Sequence, residues 1–321
     1  MALEGVDVTL LDPHRKPINP LFGLHPIYMG LDPYRTAKIL FANRKVDIVI
    51  SVFESSCTLP LLFRRLAMYA PLIAMWDIVP EENWKPRKFL QNIVLPRVDH
   101  LFLLSSNQQN YIEKRWGCGA KTSVVYQHID AEFYRPEAPA PDGPIFAIGD
   151  DAGRDFDTLI RAVNSLDVHL VAKTRKHLID LPDRRARIDQ ISERLSHTDL
   201  RKLYADAKFV VVPTYQTENV SGVGSVLESM AMGKAIIVTD NPPLRDFFVD
   251  GETAIVVPAG DEAALREAIV HLNDNPEKCL ALGQGGRAMV EKKFSNPVLG
   301  TRLAQQIRTL VESKSRESTG G

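Results

Sequence analysis

Cysteine pairs and long apolar runs are both missing from this chain of 321 residues. The three cysteines, Cys57, Cys118 and Cys279, lie far apart and form no CxxC pair. Their spacing therefore supports neither a disulfide framework nor a zinc site. The apolar stretches, such as residues 66–76, are too short to span a bilayer, which argues against a transmembrane protein.

An excess of positive charge is missing as well, because the formal net charge is -1. A protein that binds nucleic acid usually carries a strongly basic face, so no nucleic-acid partner is expected. Basic side chains do cluster locally, and two interpretations of them stay open. They form solvated faces, or they meet anionic lipid head groups or a phosphorylated acceptor. These clusters are Arg64-Arg65 and the group Lys85, Arg87 and Lys88.

No secretion signal is recognisable, since residues 1–5 lack the basic start of such a segment. Together with the unpaired cysteines, this favours a reducing, cytoplasmic setting. Because no apolar run can cross a membrane, any membrane contact is expected to be peripheral, at the inner face.

The pattern of the chain predicts two α/β domains. Its length exceeds that of a typical single domain. Short β-branched runs alternate with amphipathic stretches, which indicates parallel sheets with helices on both faces. The predicted strands are residues 6–11, 46–52, 72–76, 100–104, 123–126, 145–148, 168–172, 208–212, 235–239 and 254–257. Predicted helices in the second half are 156–164, 198–207, 261–272, 276–293 and 298–313.

The only dense proline cluster, residues 135–144, predicts a linker between the domains. We therefore predict an N-terminal domain over residues 1–136 and a C-terminal domain over 137–295. A closing helix over 296–313 is expected to pack back toward the first domain, and the polar tail 314–321 is expected to be disordered. In such folds ligands bind outside the carboxyl ends of the strands, so the site is expected in the cleft between the domains.

The segment 213–233 carries the clearest functional signal. A buried strand leads into a turn with Gly222 and Gly224, and the pattern predicts a helix that begins near Ser225. The glycines leave the backbone bare where the helix presents unpaired amides and the positive end of its dipole. This arrangement suits the phosphates of a nucleoside diphosphate.

Glu228 lies one turn inside the amino end of that predicted helix. Its carboxylate can accept hydrogen bonds from ribose hydroxyls while the amides hold the phosphates. The alternative is a solvated glutamate on the surface of an amphipathic helix.

Three segments in this order resemble the GT-B glycosyltransferases, in particular the retaining glycosyltransferase family 4, or group 1. Residues 222–239 resemble the signature helix and strand of that family, residues 246–258 its next stretch, and residues 128–136 the exit from its first domain. The resemblance implies two Rossmann-like doubly wound domains that face each other across a cleft. It also implies transfer of a sugar from a nucleotide diphosphate sugar, with retention of configuration, to a glycan, lipid-linked or small-molecule acceptor.

The resemblance assigns roles to residues of the signature segment. Glu228 matches the second glutamate of a two-glutamate motif, which is associated with the ribose of the donor. The position of the first glutamate is occupied by Val220, and we take Glu218 as its counterpart, with two additional residues in the loop. The donor phosphates are expected at the backbone of Gly222, Val223, Gly224 and Ser225.

The family also places a basic pair after the first strand of the second domain. Arg154 matches the second member, whereas the first falls near Asp150, which cannot neutralise a phosphate. Lys173 and Arg175 are expected to restore positive charge. Two alternatives remain for these cations: Arg154 pairs with Asp150 or Asp155, or Lys173 is a plain loop cation.

The first domain departs further from the family. Asp77 matches the aspartate of a His-Asp pair, but Trp76 occupies the position of the histidine. Trp76 either stacks on a sugar or packs in the core. Residues 3–13 resemble what normally follows the first helix of the family, so its first strand and glycine-rich loop are missing. Either Met1 is not the natural start, or the sheet is rearranged.

We therefore expect a retaining transferase that needs no cofactor and no metal, because no acidic pair like a DxD motif stands out. The alternative is a catalytically weak or inactive GT-B-like subunit that binds nucleotide sugars, which the missing strand and the absent histidine favour. An NAD-dependent oxidoreductase is disfavoured, because no GxGxxG follows a predicted strand.

Overall fold

The computed structural model describes residues 5–8, 46–51, 54–65, 71–76, 85–217 and 220–319. The chain divides into two compact units. The first unit comprises Met1–Tyr126 and Gly300–Gly321, and the second comprises Gln127–Leu299. The change of unit after Tyr126 comes earlier in the chain than the predicted domain boundary after residue 136.

In the first unit, the described residues form a parallel sheet with the strand order β1-β2-β3-β4. Apolar side chains of the strands and of the flanking helices, such as Ile73, Met75 and Leu101, form a buried core. The strands are β1 Ile48–Ser51, β2 Leu72–Trp76, β3 His100–Leu103 and β4 Thr122–Val124, and the helices are α1 Glu54–Arg65, α2 Lys85–Val94 and α3 Asn107–Trp116. The predicted strand 6–11 is only partly described, and residues 6–8 are not in a strand.

The second unit contains a parallel sheet of six strands in the order β10-β9-β8-β5-β6-β7. Its strands are β5 Ile145–Ile148, β6 His169–Lys173, β7 Arg187–Ile191, β8 Phe209–Val212, β9 Ile236–Thr239 and β10 Ile255–Val257. Its helices are α4 Phe156–Val163, α5 His197–Asp206, α6 Val223–Ala231, α7 Glu262–Asp274 and α8 Pro276–Lys293. A last helix, α9, runs over Asn296–Thr319.

The strand order of the second unit places a topological switch point between β5 and β8. From β5 the chain proceeds outward through β6 and β7, then returns to β8 on the other side of β5 and proceeds through β9 and β10. The loops that follow β5 and β8 lie at the carboxyl ends of these strands, on the two sides of the switch point. Open α/β sheets bind their ligands at this position.

Two sets of contacts connect the beginning of the second unit with its end. Ile129 forms a parallel bridge with Ser295, and its amide donates to the carbonyl of Phe294 at 2.9 Å. Arg287 on α8 donates to the carbonyls of Ala131 and Tyr134 at 3.0 and 2.8 Å. Residues 129–134 are thereby held against the C-terminal part of the second unit.

Two parts of the structure differ from the sequence prediction. Strand β7 was not predicted, because its sequence Arg-Ile-Asp-Gln-Ile is polar and it lies at the edge of the sheet, where β6 alone among the described strands pairs with it. Helix α9 continues to Thr319, past the predicted end at Ser313, so residues 314–319 of the predicted disordered tail are helical.

His100, the first residue of β3, makes the stability of the first unit depend on pH. It is only 8% exposed, and its Nε2 lies 2.8 Å from the Ser123 hydroxyl. Burial lowers the pKa of His100 from 6.5 to about 4. As the pH falls below 6.5, the unfolded chain binds a proton that the folded chain rejects. The contribution of neutral His100 is therefore complete above pH 6.5 and is lost as the pH falls toward 4.

Between pH 7 and pH 4, we expect the free energy of unfolding to fall by up to about 3 kcal/mol more for the wild-type protein than for the His100→Gln variant. Glutamine keeps a donor for Ser123 but does not titrate. The measurement is urea unfolding of both proteins at several pH values. Parallel pH profiles for the two proteins would contradict the assignment.

Candidate functional site

Arg154 lies at the switch point of the second unit, in the loop after β5. Its backbone forms an antiparallel bridge with Thr214, which follows β8, and Tyr215 donates to the Gly153 carbonyl at 2.9 Å. These contacts join the loops that follow β5 and β8. Arg154 is only 4% exposed, so its charge is shielded from bulk water.

The guanidinium of Arg154 has two partners and one unused group. Its Nε donates to Asp151 Oδ2 at 2.9 Å, and its Nη2 donates to the Ser225 hydroxyl at 2.8 Å. Nη1 is buried and has no hydrogen-bond partner among the described residues. A buried donor without an acceptor costs about 1–3 kcal/mol. An anionic ligand at Nη1 would remove that cost.

The acidic partner of Arg154 is not one that the sequence suggested. Asp151 pairs with it, whereas Asp150 accepts from Arg175 Nε at 2.9 Å. Asp155 instead caps α4, where it accepts from the Thr158 amide at 3.0 Å. Neither pairing that was considered as an alternative for Arg154, with Asp150 or with Asp155, is present, because Arg154 pairs with Asp151.

Helix α6 begins at Val223, earlier than the predicted start near Ser225. Its N-cap is Gly222, which has φ of +91° and offers no side chain to the first amides. Other helices of this unit begin with a capping side chain: Asp155 caps α4, Ser196 caps α5 and Asp261 caps α7. The amides of the first turn of α6 have no intrahelical acceptor, and they lie at the positive end of the helix dipole. Both properties favour binding of an anion there.

Glycine at position 222 permits the close approach of α6 to the switch point. A Cβ atom at Gly222 would lie 3.1 Å from Val212 Cγ1 and 3.3 Å from Thr214 Cγ2. It would also lie 3.6 Å from Arg154 Nη1, the guanidinium nitrogen without a partner. The structure thus brings together Arg154 and the predicted donor-binding residues Gly222, Val223, Gly224 and Ser225.

Glu228 is half-buried and held by two tyrosines. Its Oε2 accepts from the Tyr204 hydroxyl at 2.6 Å, and its Oε1 accepts from the Tyr134 hydroxyl at 3.2 Å. Burial raises the pKa of Glu228, and the hydrogen bonds from the two tyrosines oppose that rise. These contacts are inconsistent with the alternative of a solvated surface glutamate.

A second group of cations follows β6. Lys173 is the last residue of this strand, not the first of a loop, and is only 7% exposed. Burial raises the pKa of Asp150, but hydrogen bonds from Arg175 and the charge of Lys173 outweigh it, so that pKa lies below its usual value. Lys176 Nζ donates to the Arg154 carbonyl at 2.6 Å. Lys176 therefore adds positive charge near Arg154, while Lys173 and Arg175 both lie close to the Asp150 carboxylate.

Several functional candidates lie elsewhere in the chain. Glu218 and Asp77 fall outside the described residues. The same is true of most of residues 3–13, on which the expectation of a missing first strand depends. Trp76 is the last residue of β2 in the first unit and is partly exposed, so it is not a fully buried core residue.

The sequence did not reveal Asp151, Tyr134 and Tyr204 as members of this site. Asp151 accepts from the Ser221 hydroxyl and from the Gly153 amide, at 3.0 Å for the latter. Burial raises the pKa of Asp151, but the charge of Arg154 and these hydrogen bonds lower it below its usual value. The sequence held one indication that Asp151 pairs with Arg154: it lies three residues before Arg154 in the loop that follows a strand.

The described residues contain no group of three or more His, Cys, Asp or Glu side chains placed to hold a metal ion. No helix within the same residues is long and apolar enough to cross a membrane.

Comparison with known proteins gives a sequence match over the region just described. Residues 154–275 match the family described as Glycosyl transferases group 1. CapM of Staphylococcus aureus, a capsular polysaccharide biosynthesis glycosyltransferase, is 29% identical over 116 residues, which cover 36% of this chain and 30% of CapM. The chain spans less than a third of the length of the curated relatives it matches.

Solved structures extend the comparison to the fold. Sucrose-phosphate synthase from Thermosynechococcus elongatus matches 87% of this chain and 77% of its own, with a TM-score of 0.71 and 19% identity. Anabaena HepE in complex with UDP and glucose matches 85% of this chain and 80% of its own, with a TM-score of 0.65 and 14% identity. The predicted fold class is confirmed: the chain has the GT-B fold, and its residues 154–275 match the Glycosyl transferases group 1 family.

Proposed function

We propose that this protein is a glycosyltransferase that moves a sugar from a nucleotide diphosphate sugar to an acceptor hydroxyl, with retention of anomeric configuration. The observation that carries the proposal is the buried Nη1 of Arg154, which lacks a partner among the described residues and lies beside the amino end of α6. A nucleoside diphosphate supplies the anionic acceptor that this group lacks.

The chemistry of sugar transfer gives these groups a role. When the sugar leaves, negative charge grows on the diphosphate oxygens. Donors that are already in place, such as the Arg154 guanidinium and the α6 amides, stabilise that charge without reorganisation, and one such donor is worth about 3 kcal/mol. Lys173 adds charge at the neighbouring strand. With these groups, departure of the diphosphate needs no metal ion in this proposal.

The ribose and the sugar are assigned to different parts of the loop and helix. We place the ribose at Glu228, whose carboxylate lies on the second turn of α6. Glu218 remains our candidate for the donor sugar, and Trp76 and Asp77 for the acceptor or sugar side. HepE was solved with UDP and with UDP-glucose, which supports a nucleoside diphosphate as the donor class. The acceptor is proposed to be a glycan or a lipid-linked molecule, met in the cytoplasm or at the inner face of the membrane.

The first test is calorimetric titration with UDP, GDP and ADP in the presence of EDTA. At least one of these nucleotides is expected to bind, and transfer or hydrolysis of the matching nucleotide sugar is expected with a glycan extract. Failure of all three to bind would contradict the proposal. Binding without any turnover would instead favour the alternative, a binding subunit without catalytic activity.

A second test concerns Glu228. The Glu228→Gln substitution is expected to weaken nucleotide binding about tenfold, because hydrogen bonds to a charged acceptor contribute about 1.5–3 kcal/mol. Glu267→Gln is the matched control, since Glu267 is an exposed helical glutamate of the same unit. Both variants are titrated with the nucleotide that binds wild type. Equal affinities for the two variants would remove Glu228 from the site.

A further inference from the structure

Tyr204 and Tyr134 converge on Glu228 from two separate segments of the chain. Tyr204 lies on α5 and Tyr134 in the segment after Gln127, yet each donates its hydroxyl to a different oxygen of the same carboxylate. The distances are 2.6 Å from Tyr204 to Oε2 and 3.2 Å from Tyr134 to Oε1. The carboxylate is therefore held from both sides, although α6 alone would leave it free to rotate.

The ring of Tyr204 cannot move easily. It is 0% exposed and packs edge-on against Phe146 of β5, with ring centroids 5.0 Å apart and an interplanar angle of 88°. It also meets Tyr134 edge-on, with centroids 6.3 Å apart. Because the core of the unit fixes this ring, its hydroxyl presents a donor at a defined point.

Tyr134 is fixed by its backbone. Its amide donates to the Asp130 carbonyl at 2.9 Å, and its carbonyl accepts from Arg287 Nη1 at 2.8 Å. The side chain of Asp130 accepts from the Phe133 amide at 2.9 Å and closes the same turn. Arg287 also donates to the Ala231 carbonyl at 2.7 Å, at the carboxyl end of α6. The segment that carries Tyr134 and the helix that carries Glu228 are thereby joined.

The two hydrogen bonds leave capacity on the carboxylate. Each carboxylate oxygen offers about two acceptor positions. Among the described residues, the tyrosines occupy one position on each oxygen, so one position on each oxygen is available to a ligand. A pair of adjacent hydroxyls, such as a ribose 2′,3′-diol, matches two acceptors on one carboxylate.

We propose that Tyr204 and Tyr134 are positioning residues for recognition of the ribose diol, which they control by fixing the orientation of the Glu228 carboxylate. This inference rests on the proposed nucleotide site and adds two residues that do not themselves touch the ligand. Fixing a carboxylate before the ligand arrives lowers the entropy that binding must overcome. Since the Tyr204 bond is the shorter, Tyr204 makes the larger contribution.

The experiment combines a substitution in the protein with a change in the ligand. Wild type, Tyr204→Phe and Tyr134→Phe are titrated with UDP, GDP and ADP and with the 2′,3′-dideoxy form of each. Wild type is expected to bind the dideoxy form about tenfold more weakly. Tyr204→Phe is expected to bind the ribose form about fivefold more weakly than wild type but the dideoxy form with wild-type affinity. Tyr134→Phe is expected to show the same pattern with a smaller loss.

Tyr111→Phe is the matched control. Tyr111 lies on α3 of the first unit, where its hydroxyl accepts from Arg115 at 2.7 Å, so its removal is expected to leave both affinities unchanged. A thermal melt of each variant establishes that it is folded.

A purely structural role would give a different result, because Tyr204→Phe would then weaken the ribose and dideoxy forms by the same factor. That outcome overturns the inference and leaves the proposed function intact. An unchanged affinity of Tyr204→Phe for both the ribose and the dideoxy form also overturns the inference and leaves the proposed function intact. Absence of binding by wild type to every nucleotide would instead overturn the proposed function, and the inference with it.

Discussion

Replacing Gly283 with alanine is expected to lower the melting temperature of the protein by roughly 6 °C. Gly283 lies in α8, where an added Cβ would stand 2.0 Å from the carbonyl oxygen of Gly233. Gly233 has φ of +68° and follows α6, so this carbonyl belongs to backbone that cannot rotate aside. The helix must shift, at a cost of about 3 kcal/mol or more. The intrinsic helix preference of alanine over glycine returns only about 1 kcal/mol.

Gly224→Ala is the matched control for this prediction. Gly224 is also a helical glycine, but a Cβ there meets nothing within 4 Å. Its melting temperature is expected to stay within about 2 °C of wild type or to rise slightly, since alanine favours the helix. A thermal melt followed by circular dichroism measures both variants. Equal melting temperatures for Gly283→Ala and wild type would show that α8 does not approach Gly233 this closely.

Replacing Arg154 with methionine is expected to weaken nucleoside diphosphate binding about 100-fold. Methionine keeps much of the buried volume but removes the charge and the donor at Nη1. A charge-assisted hydrogen bond contributes about 1.5–3 kcal/mol, and each 1.4 kcal/mol corresponds to a tenfold change in Kd. Calorimetric titration with the nucleotide that binds wild type gives the ratio of dissociation constants.

The same substitution is expected to leave the ligand-free protein almost as stable as wild type. It removes two hydrogen bonds but also a buried N–H group that lacks a partner among the described residues. Asp151 keeps its bonds from Ser221 and Gly153. The melting temperature is therefore expected to fall by no more than about 2 °C, as two opposing changes of about 1–3 kcal/mol nearly cancel.

Arg245→Met controls for the loss of one arginine near the edge of the same sheet. Arg245 pairs with Asp240 after β9, and its side chain is 59% exposed. Its substitution is expected to change the dissociation constant by less than twofold, because an exposed ion pair contributes little. If Arg154→Met and Arg245→Met had the same affinity, the nucleotide would not be bound through the switch point.

The central strands of the second unit could be predicted because burial on both faces leaves a clear mark in the sequence. β5 and β8 are short runs of apolar residues, and both lie where the sequence places them, to within one residue. β7 is polar and lies at the sheet edge, and nothing in its composition separates it from a loop. Prediction from composition thus succeeds where both faces of a strand are covered.

The site could be predicted only in its local parts. The glycine turn and Glu228 lie within one short segment, so spacing alone brought them together. The contacts of Glu228 with Tyr134 and Tyr204 join positions far apart in the sequence, and no local pattern encodes them. The choice of Asp151 over Asp150 as the partner of Arg154 depends on loop geometry, which three neighbouring acidic residues left open.

The bridge between Ile129 and Ser295 bears on the order in which the chain folds. The first unit is discontinuous, since it needs residues 300–321 as well as residues 1–126. In the folded second unit, this bridge holds Ile129 and Ser295, which lie near the two ends of that unit, next to each other. The two parts of the first unit are then connected through a short folded link instead of a long flexible loop. Each halving of an effective loop saves roughly 0.6 kcal/mol of closure entropy. We therefore expect the second unit to fold first during synthesis. The first unit then folds once residues 300–321 have joined residues 1–126.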